Sequence, residues 1–173
     1  MSQTNDPAKL RDLVTLLSTL ESLYEELGAV VRRKIEAMKR NELQIMRDLN
    51  EREHALAGKI RERDGLRRQL MDAVGAQAGW PNGAARDIPL AQLSARLPEP
   101  HASALRSARA RLAEAAARLA NANRTAAEFA RAIIEHLTWV FRAAGPAGAA
   151  PVTYSAGGSR TRRGETMIVD TVG

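Results

Sequence analysis

Apolar residues recur at intervals of seven along two long stretches of the chain. In the first, Leu10, Leu17, Tyr24, Val31, Met38 and Ile45 form one series, and Leu13, Leu20 and Leu27 form a second. This period marks a helix that turns one seam toward a neighbouring helix. After Lys34 the second series slips by one residue, to Ile35, Glu42, Leu49 and Leu56. An α-helix of about 3.6 residues per turn drifts in this way against a strict heptad. Asp6 is placed to cap the helix, and Pro7 sits at its first position, where the missing N–H costs nothing. The spacing predicts one helix over residues 7–74, stopped at Gly75. Gly28, Gly58 and Gly65 are its weak points, where a kink is expected if there is one.

The second stretch carries Leu105, Leu112, Leu119, Ala126, Ile133 and Val140, with Ala108, Ala115, Ala122, Phe129 and His136 as the companion series. It predicts a helix over residues 101–143. Alanines on one side of the seam let helix axes approach closely, but they bury little area per residue. Near its end the stripe broadens to Leu137, Trp139 and Phe141, an apolar surface that needs covering.

Between the two helices, residues 75–100 form a connector punctuated by Gly75, Gly79, Trp80-Pro81-Asn82-Gly83, Pro89, Pro98 and Pro100. It has room for a short helix bearing Leu90, Leu93 and Leu97, and Trp80 is expected to pack back on a helix end. From Ala144 the character changes: Gly145-Pro146-Ala147-Gly148 cannot continue a helix, and Gly157-Gly158-Ser159 precedes a basic run at Arg160, Arg162 and Arg163. The last apolar run, Met167-Ile168-Val169, has no strand to pair with. The fold class is therefore all-α: two long antiparallel heptad-patterned helices with a short connecting helix and a disordered C-terminal tail. The helical domain is placed at residues 1–143 and the flexible tail at 144–173.

Charge changes this picture only slightly. The net charge is +6, which raises nucleic acid or a membrane surface as partners. Yet acids and bases alternate along the first helix, as in Arg61-Glu62-Arg63-Asp64, and mixed signs at helical spacing usually form a solvated face. No cysteine is present, so disulfides and thiolate metal sites are excluded. The start is polar and no stretch is apolar enough to span a bilayer, so a cytoplasmic protein without stable membrane insertion is expected.

Catalytic chemistry has little support. His54, His101 and His136 are scattered, and the single Glu51-x-x-His54 lacks the second copy that a di-metal bundle requires. His136, at a seam position, reads as a packed imidazole. No phosphate loop, dinucleotide fingerprint or nucleophile elbow appears. Neither enzyme activity nor a cofactor is expected. What remains is binding. The seams cover more length than a hairpin of two helices can bury, which leaves an open groove suited to an amphipathic helix from another protein. Tyr154, nearly alone among small residues in the tail, is a candidate docking anchor.

The C-terminal third strengthens this reading. It contains Asn121-Ala122-Asn123-Arg124 in the second long helix, then Pro151-Val152-Thr153-Tyr154-Ser155-Ala156-Gly157-Gly158, Arg162-Arg163-Gly164 and Met167-Ile168-Val169. With the opening Leu16-Leu17-x-x-Leu20-Glu21-x-x-Tyr24, this order resembles the FlgN family of flagellar export chaperones from Leu13 to the end. The resemblance implies a cytoplasmic chaperone of the flagellar type III secretion system. Such a chaperone holds hook-associated (hook–filament junction) proteins by their terminal helical segments and delivers them to the export gate. It makes Tyr154 the residue corresponding to the family's gate-docking tyrosine. The client groove is placed on the second long helix, at Ala126, Phe129, Ile133, Leu137 and Val140, in a monomer or weak homodimer that does not bind nucleic acid. The alternatives are a self-associating structural coiled coil and a basic coiled coil that binds nucleic acid.

Overall fold

The structure, a computed structural model, describes residues 7–77, 79–81, 85 and 88–144. Among the described residues there are four helices: α1 (Pro7–Lys39), α2 (Leu43–Gln77), α3 (Leu90–Ala95) and α4 (His101–Ala144). No strand occurs among the described residues. The chain divides into two units, Met1–Ile133 and Ile134–Gly173. The cap at Asp6 and the tail at 145–173 lie outside the described residues.

The all-α class and the long heptad helices hold, but the single helix expected over 7–74 is two. The break falls at Arg40-Asn41-Glu42 and not at a glycine. Asn41 adopts φ 56°, the left-handed region. The Glu42 N–H donates to the Ala37 carbonyl at 3.0 Å, and the Asn41 N–H donates to Met38 at 3.2 Å. These two bonds satisfy the last carbonyls of α1 in the reciprocal pattern that ends a helix. Asparagine is the residue after glycine that tolerates this backbone best. The end of α2 repeats the device four residues beyond the expected stop. Gly79 takes φ 85°, and Trp80 and Gly79 donate to the carbonyls of Gly75 and Ala76 at 3.0 and 3.3 Å.

In the first unit, α1 lies between two neighbours. Beside the two series already noted, it carries a third, Leu16, Leu23, Val30 and Ala37, at the same interval of seven. All four are buried or half-buried. Three adjacent series make a stripe too wide for one partner. One end of the unit joins Leu10, Leu13 and Leu17 of α1 to Met71 and Val74 of α2, Leu93 of α3, Leu97, and Ala102, Leu105 and Ala108 of α4. The other joins Leu27, Val30, Val31 and Ala37 to Leu49 and Leu56 of α2 and to Leu119 and Ala122 of α4. Thus α2 runs antiparallel to α1, and α4 runs parallel to α1 and antiparallel to α2. The chain crosses three times, because Asn41 reverses it within what read as one helix.

Ion pairs on the rims set the register. Arg111 and Arg118 of α4 reach Glu21 and Glu25 of α1 at 3.0 and 2.9 Å. Arg52 reaches Glu26 at 2.6 Å, and Lys34 reaches Glu53 at 2.8 Å, between α1 and α2. Pairs this exposed contribute roughly 0–1 kcal/mol each, so they guide alignment more than they stabilise it. The connector behaves as its residues predict. Leu93 and Leu97 of the short-helix segment are buried, and Trp80 packs against the same cluster beneath the Arg96 guanidinium, 4.7 Å from the ring centroid.

Two predictions follow from the glycines and from the start of α4. A Cβ at Gly75 would run into the Ala85 methyl and the Trp80 ring, whereas Gly58 and Gly65 have open space around them. Gly58→Ala and Gly65→Ala should each stabilise the protein by about 1 kcal/mol. Gly75→Ala should destabilise it by about 1–3 kcal/mol. Urea unfolding followed by circular dichroism reads both signs. At α4, the Glu99 carboxylate accepts from Arg106 at 2.6 Å and from the Ser103 N–H at 3.1 Å. The Arg106 and Ser103 bonds hold its carboxyl below the ordinary 4.5. The support it gives α4 is present above that value and is lost as pH falls through the lower folded one. An NMR titration should place the Glu99 midpoint below 4.5, and Arg106→Gln should move it back up.

Candidate functional site

Burial along α4 fades in one direction. Ala108, Ala115 and Ala122 are 0%, 1% and 7% exposed. Ala126 packs at the margin of the second cluster, and Phe129 and Ile133 are half-buried. The register explains the fading. The bridged pairs Glu21–Arg111 and Glu25–Arg118 are 90 and 93 positions apart. At that offset Lys39, the last residue of α1, stands level with residues 129–132 of α4. Beyond that level α1 has no side chain left to offer.

The described part of the second unit, Ile134–Ala144, is helix in which every residue is exposed. Ile134 is 63% exposed, Leu137 48%, Val140 38% and Phe141 74%. Their spacing puts these four within one stripe of the helix surface. Trp139, 66% exposed, lies off that stripe and stacks on His136, with centroids 6.2 Å apart. His136 is therefore an exposed imidazole against a tryptophan, not a packed seam residue. The Thr138 hydroxyl returns to the Ile134 carbonyl at 2.7 Å, so its polar group is satisfied within the helix.

Of the five positions expected to bind a client, Ala126, Phe129 and Ile133 stand half-buried at the end of the first unit, and Leu137 and Val140 stand exposed in the second. Tyr154 lies outside the described residues. Ile134 was not singled out from the sequence, although its signal was present: it precedes Leu137 by three and Phe141 by seven. Trp139 and Phe141 were recognised as apolar surface but not as site residues.

The remaining clefts are different in kind. One, between α1 and α2, is lined by Asp12, Thr15, Leu16, Thr19, Arg63, Leu66, Gln69 and Leu70. A smaller one, between α1 and the start of α4, is lined by Leu10, Arg11, Val14, Thr15, His101 and Ala104. Thr15 and Thr19 stand near Asp12 in the first and Thr15 near His101 in the second, but the Thr19 hydroxyl donates to the Thr15 carbonyl at 3.0 Å, and among the described residues no hydrogen bond joins either hydroxyl to Asp12 or His101. Among the described residues no group of three or more potential ligands could hold a metal ion, and no helix is long and apolar enough to cross a membrane. Among the described residues, Asp64 is the one partly buried acid with a perturbed carboxyl. Burial raises it, but Arg67 and Arg68, at 2.7 and 3.1 Å, outweigh that and hold it low. It is a bridge within α2 and not a reactive group.

Exposed apolar side chains at 134, 137, 140 and 141 suit contact with another apolar surface more than they suit catalysis. The sequence profile described as FlgN protein matches residues 2–162. The chain belongs to the FlgN family. Comparison with curated proteins and with solved structures found no match. FlgN proteins are flagellar export chaperones of type III secretion, a role that asks for apolar surface and not for catalytic groups. The match covers all of the described FlgN-family fold and reaches past Tyr154.

Proposed function

We propose that this FlgN-family chain works in the cytoplasm, where it binds the terminal helical segments of hook-associated proteins and delivers them to the flagellar export gate. The observation that carries the proposal is the exposed stripe of Ile134, Leu137, Val140 and Phe141. A client's terminal segment, amphipathic and unassembled, needs its own apolar face covered. A helix that offers a matching stripe can cover it without chemistry. Ala126, Phe129, Ile133, Leu137 and Val140 are the client-binding positions in this reading, with Ile134 and Phe141 added by their exposure. Tyr154 is the gate-docking residue in this reading, supported by its place in the sequence between Pro151 and the Gly157-Gly158 pair. The chaperone is a monomer or weak homodimer when free.

The test separates the two roles. Leu137 is exposed, so Leu137→Asp should leave helix content unchanged by circular dichroism. Losing a buried leucine contact of about 2 kcal/mol should weaken binding of a hook-associated protein's terminal segment roughly 30-fold. Tyr154→Ala should leave that affinity intact and reduce capture by the cytoplasmic part of the gate. Unchanged client affinity in Leu137→Asp would place the client elsewhere. Client loss in Tyr154→Ala would make the tail part of the groove.

A further inference from the structure

The exposed stripe near the end of α4 and the C-terminal tail belong to the same unit, Ile134–Gly173. Ile134, Leu137, Val140 and Phe141 of that stripe stand open to solvent, and apolar surface of this kind is covered when a suitable segment is within reach. Leu137 and Phe141 are four residues apart, about 6 Å along the helix axis. The chain runs on directly from this helix. It ends at Ala144, and residues 145–173 follow, outside the described residues.

Three large apolar residues stand side by side in that tail, at Met167-Ile168-Val169. No strand occurs among the described residues for them to pair with. On extended backbone Met167 and Val169 would share a face, about 6.6 Å apart, which matches the interval from Leu137 to Phe141. With Met167 at Leu137 and Val169 at Phe141, Asp170 comes level with Arg142, which is exposed. Opposite charges then meet where the apolar contact ends. The linker between carries Gly145, Gly148, Gly157, Gly158 and Gly164. As a flexible coil, a linker of that length spans about 26 Å, whereas Leu137 lies only about 10 Å from Ala144 along the helix. The run reaches the stripe without stretching the linker, at a local concentration on the order of millimolar.

We infer that Met167-Ile168-Val169 covers this stripe when no client is bound. The cover stands on the stripe and the tail alone; its consequence for clients rests on the client reading above, in which a client must displace the run. One short run makes a weak contact, so the cover forms and breaks and the stripe is open for much of the time. An amphipathic helix that matches the whole stripe removes more apolar area from water and wins. Displacement then frees the tail that bears Tyr154, which ties the loading of a client to the release of the docking segment.

The chain has no cysteine, so a nitroxide label can be placed at one chosen position. Thr171→Cys and Ser159→Cys are labelled in the full chain, and NMR reads the broadening of the amide signals of residues 134–141. A free coil broadens these signals more from position 159, which is nearer in sequence. Cover by the closing run reverses that order, so position 171 should broaden them more. Met167→Ser with Val169→Ser should abolish the excess, and Tyr154→Ala should leave it. In a titration with a hook-associated protein's terminal segment, the same double substitution should tighten binding about threefold. Broadening from 171 no greater than from 159 would overturn the inference, as would an excess that survives the double substitution. So would broadening of an isotope-labelled chain by a separate nitroxide-bearing one, which would make a second copy the occupant. The predicted excess together with unchanged client affinity would uphold the cover and move the client off the stripe, so the two readings fail separately.

Discussion

The seating of α1 between α2 and α4 is the constraint on which the rest of this structure depends. Three adjacent heptad series on one helix make a stripe that a single neighbour cannot cover. Water must therefore be excluded from two sides. The Asn41 turn brings α2 back along one side, and the connector returns the chain so that α4 covers the other. Without α4, Leu10, Leu13 and Leu17 would lose their contacts with Leu105 and Ala108. Without the turn at Asn41 there would be no α2 beside Leu27 and Val31.

The two coverings are unequal. Leucine, isoleucine and methionine of α2 face α1, whereas α4 offers Ala108, Ala115 and Ala122 between its leucines. Small side chains allow close approach but remove less apolar area from water, at about 25 cal/mol per Å². The rim bridges Glu21–Arg111 and Glu25–Arg118 then matter for register, which short alanines specify poorly. That register is what brings α1 to its end level with residues 129–132 of α4. The fading of burial from Ala122 to Ile133 is thus a consequence of where Asn41 stands in the sequence, some ninety residues earlier. Within the first unit, the length of α1 decides where the burial of α4 stops.

Much of this was legible in the sequence, and what was missed was missed for physical reasons. The heptad series, the connector with its short helix at Leu90–Ala95, and the packing of Trp80 were all readable from period and punctuation. The reversal at Asn41 was not. The apolar period runs on past it through Ile45, Leu49 and Leu56, and a single asparagine in a charged stretch gives no composition signal. The clue lay instead in Leu16, Leu23, Val30 and Ala37. A third series next to two others asks for a second neighbour, and a two-helix arrangement cannot supply one. Glycine often ends a helix, which makes Gly75 the natural stop, yet α2 runs on to Gln77. Gly75 is glycine because Ala85 and Trp80 occupy the space a side chain would need, and Gly79 supplies the left-handed residue. At the candidate site, Val140 continues the heptad series. Leu137, like Ile134 and Phe141, sits one step off a series, and Leu137 and Phe141 are legible only as the broadening of the apolar stripe. His136 follows the period but not the packing: it is exposed and stacks on Trp139.

Hydrogen exchange of the full chain, alone and with a hook-associated protein's terminal segment, measures where cover is missing and where it arrives. Free protein should exchange rapidly over residues 134–144 and slowly over residues 10–31. Adding the segment should slow exchange over 134–144 by an order of magnitude or more and leave 10–31 as it was. Slow exchange at 134–144 in the free protein would contradict the open surface. Protection appearing along Asp12–Thr19 and Arg63–Leu70, with none at 134–144, would place the client in the cleft between α1 and α2.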